Sequence, residues 1–140
     1  MPSMFHEKYG PVVAIGPFFT ANLDSGQTNL DLVLGQAGVT LTGMPYKGSI
    51  VGVSIDGNAA PSAGTVIASV HNAGTEISGG PTATIDTVTN TLTSTGLVSS
   101  ARQNTFAAGA RLGVSVTSAA GLAATTIEFN AFLYVRFDPD

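Results

Sequence analysis

The sequence predicts an all-β fold: one antiparallel β-sandwich running from about residue 27 to residue 137, with almost no helix. Three observations predict it. Short runs alternate apolar with small polar residues, the period-2 pattern of a strand with one buried face. Turn residues separate these runs at short intervals. No segment carries a 3.6-residue apolar period bounded by helix caps. At 140 residues the chain is long enough for one domain. A domain of that size buries roughly 68–70% of the surface its unfolded chain exposes, which makes one genuine core.

Residues 1–26 differ from the rest. They hold Pro2, Pro11 and Pro17, three of the seven prolines, and Phe5, Tyr9, Phe18 and Phe19, four of the ten Phe and Tyr residues. The strand-like run Val12–Phe19 is interrupted by Gly16–Pro17. Proline removes a backbone donor and stiffens an extended path, so residues 1–26 read as an extended N-terminal arm and residues 27–140 as the sandwich.

The strands follow in order. Leu30, Leu32 and Leu34 alternate with Asn29 and Asp31. Val51, Val53 and Ile55 alternate with Gly52 and Ser54 and stop at Asp56–Gly57. Val66, Ala68 and Val70 alternate with polar residues and stop at Asn72–Gly74. The Thr-rich runs Thr82–Thr87 and Val88–Thr93 are expected to pair, and Gln103–Phe106 is short. Leu112, Val114 and Val116 alternate with Gly113, Ser115 and Thr117. In the final run, Ile127, Phe129, Ala131, Leu133, Val135 and Phe137 share one face. Leu112, Val114, Phe129, Leu133 and Val135 are expected in the core. The opposite face of that run passes from Thr126, Glu128 and Asn130 to Phe132, Tyr134 and Arg136. An aromatic pair on an outer face needs a cover, either the chain's own arm or a neighbouring subunit. Phe5, Tyr9, Phe18, Phe19, Phe132 and Tyr134 are therefore the expected partner-binding residues.

Charge narrows the function. Charged residues make up 10% of the chain, against about 25% in ordinary soluble domains. Ser, Thr, Gly and Ala replace them, leaving a weakly solvated surface prone to association. The net charge of −4, with five Lys and Arg, argues against nucleic acid. The chain has no cysteine, which excludes disulfides, thiolate metal sites and a cysteine nucleophile. MPSMFHEKYG lacks the basic region and apolar core of a signal peptide, so synthesis in a cytosol is expected. No stretch approaches the roughly 20 apolar residues of a membrane helix, so no membrane partner is expected.

Reactive groups are sparse. His6 and His71 have no second histidine or carboxylate at metal-ligand spacing and read as polar surface residues. Asp24–Ser25–Gly26 and Asp56–Gly57–Asn58 lack the repeated acids of a calcium loop and read as turns. Gly79–Gly80–Pro81 leads into no helix that could receive a phosphate. No serine lies in Gly-x-Ser-x-Gly. The expectation is no catalytic residue, no metal and no cofactor.

Two stretches carry a family resemblance. MPYKGSIVGVSIDGNAAPSAGTVIASVHNAG (Met44–Gly74) joins a Pro-x-x-Gly entry, a Gly-Val-Ser strand, an Ala-Gly-Thr turn and an Asn-x-Gly turn. FAAGARLGVSVTSAAGLAATTIEFNAFLYVRF (Phe106–Phe137) supplies a second half. The pattern resembles small structural proteins of tailed bacteriophages. Ala110 stands where that pattern commonly has Asp, and Ala124 where it commonly has Pro. The resemblance implies a jelly-roll-like sandwich on a virion, most like a capsid decoration (cement) protein. Implied partners are the major capsid protein and further copies of the chain, as a trimer, on the outer capsid surface. A head fibre or tail accessory protein is the alternative within the same class. A carbohydrate-binding or receptor-binding β module is the alternative outside it.

Overall fold

The computed structural model describes residues 11–34, 38–98 and 104–138, and every regular element among them is a strand. In chain order these are β1 (Val13–Thr20), β2 (Leu30–Asp31), β3 (Val33–Leu34), β4 (Thr42–Gly43), β5 (Gly48–Gly57) and β6 (Val66–Asn72). There follow β7 (Thr75–Glu76), β8 (Thr82–Ile85), β9 (Thr93–Leu97), β10 (Thr105–Phe106), β11 (Arg111–Ser118) and β12 (Phe129–Phe137). They build two antiparallel sheets. In the first, β3, β1, β12 and β5 lie side by side, and β9 and β10 both pair with β5. In the second, β11 and β6 form the centre, with β2 and β4 on β11 and β7 and β8 on β6.

The alternation read from sequence decides what lies between the sheets. Val66, Ala68 and Val70 of β6 and Leu112, Val114 and Val116 of β11 enter the core from one side. Phe129, Ala131, Leu133 and Val135 of β12 enter from the other. All five residues expected in the core are buried. Full burial of each large apolar side chain is worth about 1.5–3 kcal/mol.

Two segments cross between the sheets. β2 pairs with β11 in the second sheet, while β3 pairs with β1 in the first, and fully buried Leu32 stands between them. The second crossing differs from the expected pairing of Thr82–Thr87 with Val88–Thr93. β8 pairs with β6 of the second sheet and β9 with β5 of the first. The intervening residues form a turn because the Asp86 carboxylate captures the backbone N–H groups of Val88, Thr89 and Asn90. Gly96 lies so close to the Thr82 backbone that a side chain at residue 96 would collide with the Thr82 carbonyl. The two sheets therefore meet at this edge through a position that only glycine fits.

The N-terminal segment departs from the expected arm. Residues 1–10 lie outside the described residues, but Val13–Thr20 is an integral strand between β12 and β3. Phe18 is fully buried in the core, so it is not available to a partner. The Gly16–Pro17 interruption is a bulge: Ile15 pairs with Leu133 and Phe18 with Ala131. Gly16 has φ +150°, and a Cβ there would come within 2.9 Å of the Ala131 carbonyl. A bulge holds proline without losing a ladder bond, which is why the proline did not prevent the strand.

A second bulge changes β5. Tyr134 pairs with Gly52 but Val135 pairs with Ile50, so one residue of β5 is extra. Ile50, Val53 and Ile55 enter the main core, whereas Val51 joins a separate cluster with Val98, Val12 and Tyr134. The expected common face of Val51, Val53 and Ile55 is corrected accordingly.

Candidate functional site

The outer face of the first sheet follows from its register. One row across it reads Leu97, Gly52, Tyr134 and Ala14. The next reads Thr95, Ser54 and Phe132, ending at the β1 bulge. A third reads Thr93, Asp56, Asn130 and Phe19. Toward the other end, Arg136 faces Ser49. Four strands thus present a face that is aromatic, aliphatic and hydroxyl-bearing, with Asp56 and Arg136 as the charged members of its rows.

Phe132 and Tyr134 are half-buried, and Phe19 is 38% exposed. Tyr134 is held in place: its hydroxyl lies 2.9 Å from Ser54 Oγ, and it packs against the Val51–Val98 cluster, as Val12 does. Part of the cover expected for this tyrosine therefore comes from its own chain. A Cβ on Gly16 would come within 3.0 Å of the Phe132 ring, so the β1 backbone runs beside that ring. Of the expected partner residues, the structure brings Phe19, Phe132 and Tyr134 to one face and places Phe18 behind it. Phe5 and Tyr9 lie outside the described residues.

Leu97, 46% exposed, belongs to the same face and was not legible in sequence. Its strand, Thr-Ser-Thr-Gly-Leu, has no apolar alternation to reveal its facing. The side chain lies over Gly52, where a Cβ would come within 2.7 Å of Leu97 Cδ2.

The outer face of the second sheet is closed around Ser115 and His71, while Ile67 on the same face is 37% exposed. Gly113, Ser115 and Thr117 of β11 point away from the core, as do Ser69 and His71 of β6. Yet Ser115 is fully buried, Ser69 is 5% exposed and His71 3%. The surface position expected for His71 is thus corrected. Ser69 Oγ lies 3.2 Å from Ser115 Oγ, and Ser115 Oγ contacts His71 Nε2 in turn. His71 Nδ1 is buried without a hydrogen-bond partner. The cover is local chain. The Thr40–Leu41 backbone and side chain lie against Gly113, leaving no room for a Cβ. Asn29 Nδ2, beside Thr117, reaches Glu76 Oε2 at 3.4 Å, and Glu76 pairs with His71. This contact spans the β11–β6 pair.

The serine–histidine chain is therefore a packed polar seam. A nucleophile needs an approach path to its oxygen, and Ser115 Oγ has none in this conformation. Among the described residues, no group of three His, Cys, Asp or Glu side chains is placed to hold a metal ion. Asp24–Gly26 and Asp56–Asn58 form turns that tie neighbouring loops: Gly26 N–H donates to the Ala119 carbonyl, and Asn58 exchanges bonds with Glu128. No family model, curated protein or solved structure matches the chain.

Proposed function

We propose that this chain is a noncatalytic virion structural protein, a capsid decoration protein that binds the outer capsid surface and stabilises it. The observation that carries the reading is the open outer face of the first sheet, where Phe19, Leu97, Phe132 and Tyr134 stand among hydroxyl and amide side chains. A face with so few charges loses little hydration when a protein covers it. A few partly buried aromatics are the residue types that dominate interface energy. The partner is the major capsid protein, and three copies share a site. The strap expected of residues 1–26 does not include β1, which is engaged in its own sheet; Phe5 and Tyr9 lie outside the described residues.

The test is cosedimentation of the purified chain with genome-free shells of the particle it belongs to, beside a glycan array. Saturable shell binding is expected, lost in a Phe19→Asp, Leu97→Asp variant whose circular dichroism is unchanged. Binding to a glycan with no affinity for shells would replace this reading with the carbohydrate module. Equal shell binding by the variant would show that another face docks.

A further inference from the structure

Apart from Asp31, which pairs with Ser115 at mid-strand, the charges of the described residues are sorted along the strand axis. The turn after β8 leads into β9, so Ile85 and Thr93 mark one end of the sandwich. Gly57, Phe129, Val66 and Ser118 share that end by register. It carries Asp24, Asp56, Asp86 and Glu128, with no described Lys or Arg. The other end holds Lys47, Arg111 and Arg136, every described cation, with Glu76 and Asp138. Arg136 Nη1 lies 3.0 Å from Asp138 Oδ1, which leaves Lys47 and Arg111 as the exposed cations of this end.

Each end also carries exposed apolar surface. At the acidic end, Asp86 Oδ1 accepts N–H bonds from Val88 (2.8 Å), Thr89 (2.8 Å) and Asn90 (3.1 Å). Asp86 N–H donates to the Asn90 carbonyl at 2.8 Å. The turn is thus braced by its own bonds, and it holds Val88 out at 81% exposure, with Leu92 at 46% beside it. At the basic end, Tyr46 is 52% exposed and packs edge-on against Phe137, ring centroids 6.0 Å apart. One end is an aliphatic knob among carboxylates. The other is an aromatic pair beside exposed Lys47 and Arg111, with Glu76 and the Arg136–Asp138 ion pair.

We propose that these two ends are the complementary halves of a head-to-tail contact between copies of this chain, the Asp86–Leu92 turn of one copy seating on the Tyr46–Phe137 end of the next. Charge complementarity selects the occupant. Two molecules of net charge −4 repel in most orientations; two acidic ends would bring carboxylates together, and two basic ends would bring Lys47 and Arg111 together. Head to tail is the orientation in which opposite charges meet, with apolar contact supplying affinity and the charges supplying register. A braced turn loses little freedom on docking. The contact is heterologous, so it builds a ring if its rotation closes and an open stack if it does not. It goes beyond the capsid reading and holds whatever surface the open sheet meets.

Sedimentation velocity of the full chain without any shell tests it, at low and at molar salt, where the screening lengths are about 30 Å and about 3 Å. Concentration-dependent association at low salt, lost at molar salt, is expected. Reversing the basic end (Lys47→Glu with Arg111→Glu) or the acidic end (Asp56→Lys with Glu128→Lys) leaves each variant monomeric, while an equimolar mixture of the two associates again. Val88→Asp abolishes association with unchanged circular dichroism. Wild-type chain that stays monomeric at low salt, reversal variants that associate as wild type does, or a mixture that stays monomeric would each overturn the proposal.

Discussion

The outer faces of the two sheets start from the same sequence grammar and end differently. Both alternate away from an aliphatic core, and both carry small residues at their centres. On the second sheet, the chain's own Thr40–Leu41 segment covers the face at Gly113, polar Ser69, His71 and Ser115 are buried, and Ile67 is left exposed. On the first, Leu97 and Phe19 are exposed and Phe132 and Tyr134 half-buried, with Ser49 and Ser54 buried beneath them. Buried hydroxyls satisfied by one another hold a closed face in register. An open face with aromatics is the surface that the proposed capsid contact would use.

The largest break in this comparison comes from removing β1. A chain beginning at Asn22 loses Phe18 from the core and the whole flank of β12, so it should unfold, whereas a chain beginning at Pro11 keeps a cooperative thermal transition. Folding of the shorter chain would mean that β1 is a detachable arm after all. Next is Leu133→Ala, directly behind the open face, which should cost roughly 2–5 kcal/mol in denaturant titration. A loss below about 0.5 kcal/mol would mean that Leu133 faces outward.

The closed face is probed by Gly113→Val. The added side chain drives Thr40–Leu41 off the sheet, at a cost of about 1–3 kcal/mol. His71 then becomes reactive to an imidazole-modifying reagent. Stability lost without gained reactivity would mean that something else shields His71. On the open face, Tyr134→Phe removes the bond to Ser54 and should cost about 0.5–1.5 kcal/mol. Phe19→Ser should stay within about 0.5 kcal/mol, as surface changes do. A large loss from Phe19→Ser would mean that this face is load-carrying core.

The smallest effect concerns Asp86. Its carboxylate is pushed from 3.8 down to about 2 by the N–H groups of Val88, Asn90 and Thr89, then by the Thr89 hydroxyl. A lowered acid stabilises the fold above its unfolded pKa and loses that contribution as pH falls through the folded one. The Val88, Thr89 and Asn90 amide signals should therefore hold steady down to pH 3.8 and shift together toward pH 2. They should be insensitive to acid in Asp86→Asn. A midpoint at the ordinary carboxylate value would mean that the turn is not braced.

By itself the sequence determined the all-β class, the strands around Val53, Val70, Val114 and Leu133, and the facing of β12. It could do so because a period of two is a local property: each side chain declares its face by its neighbours two residues away. It placed Phe132 and Tyr134 outside the core for the same reason. It did not reveal that β1 is a strand, because a bulge looks like a break until a partner strand supplies the register. It missed the switch of Val51 to the second cluster, which one extra residue opposite β12 causes. The burial of His71, the exposure of Leu97 and the sorting of charge to two ends were decided only by tertiary structure. Each depends on what crosses a face from far along the chain, such as Asn29 meeting Glu76, or β8 and β9 parting to different sheets. Local alternation states which side a residue is on; long-range pairing alone decides what stands against that side.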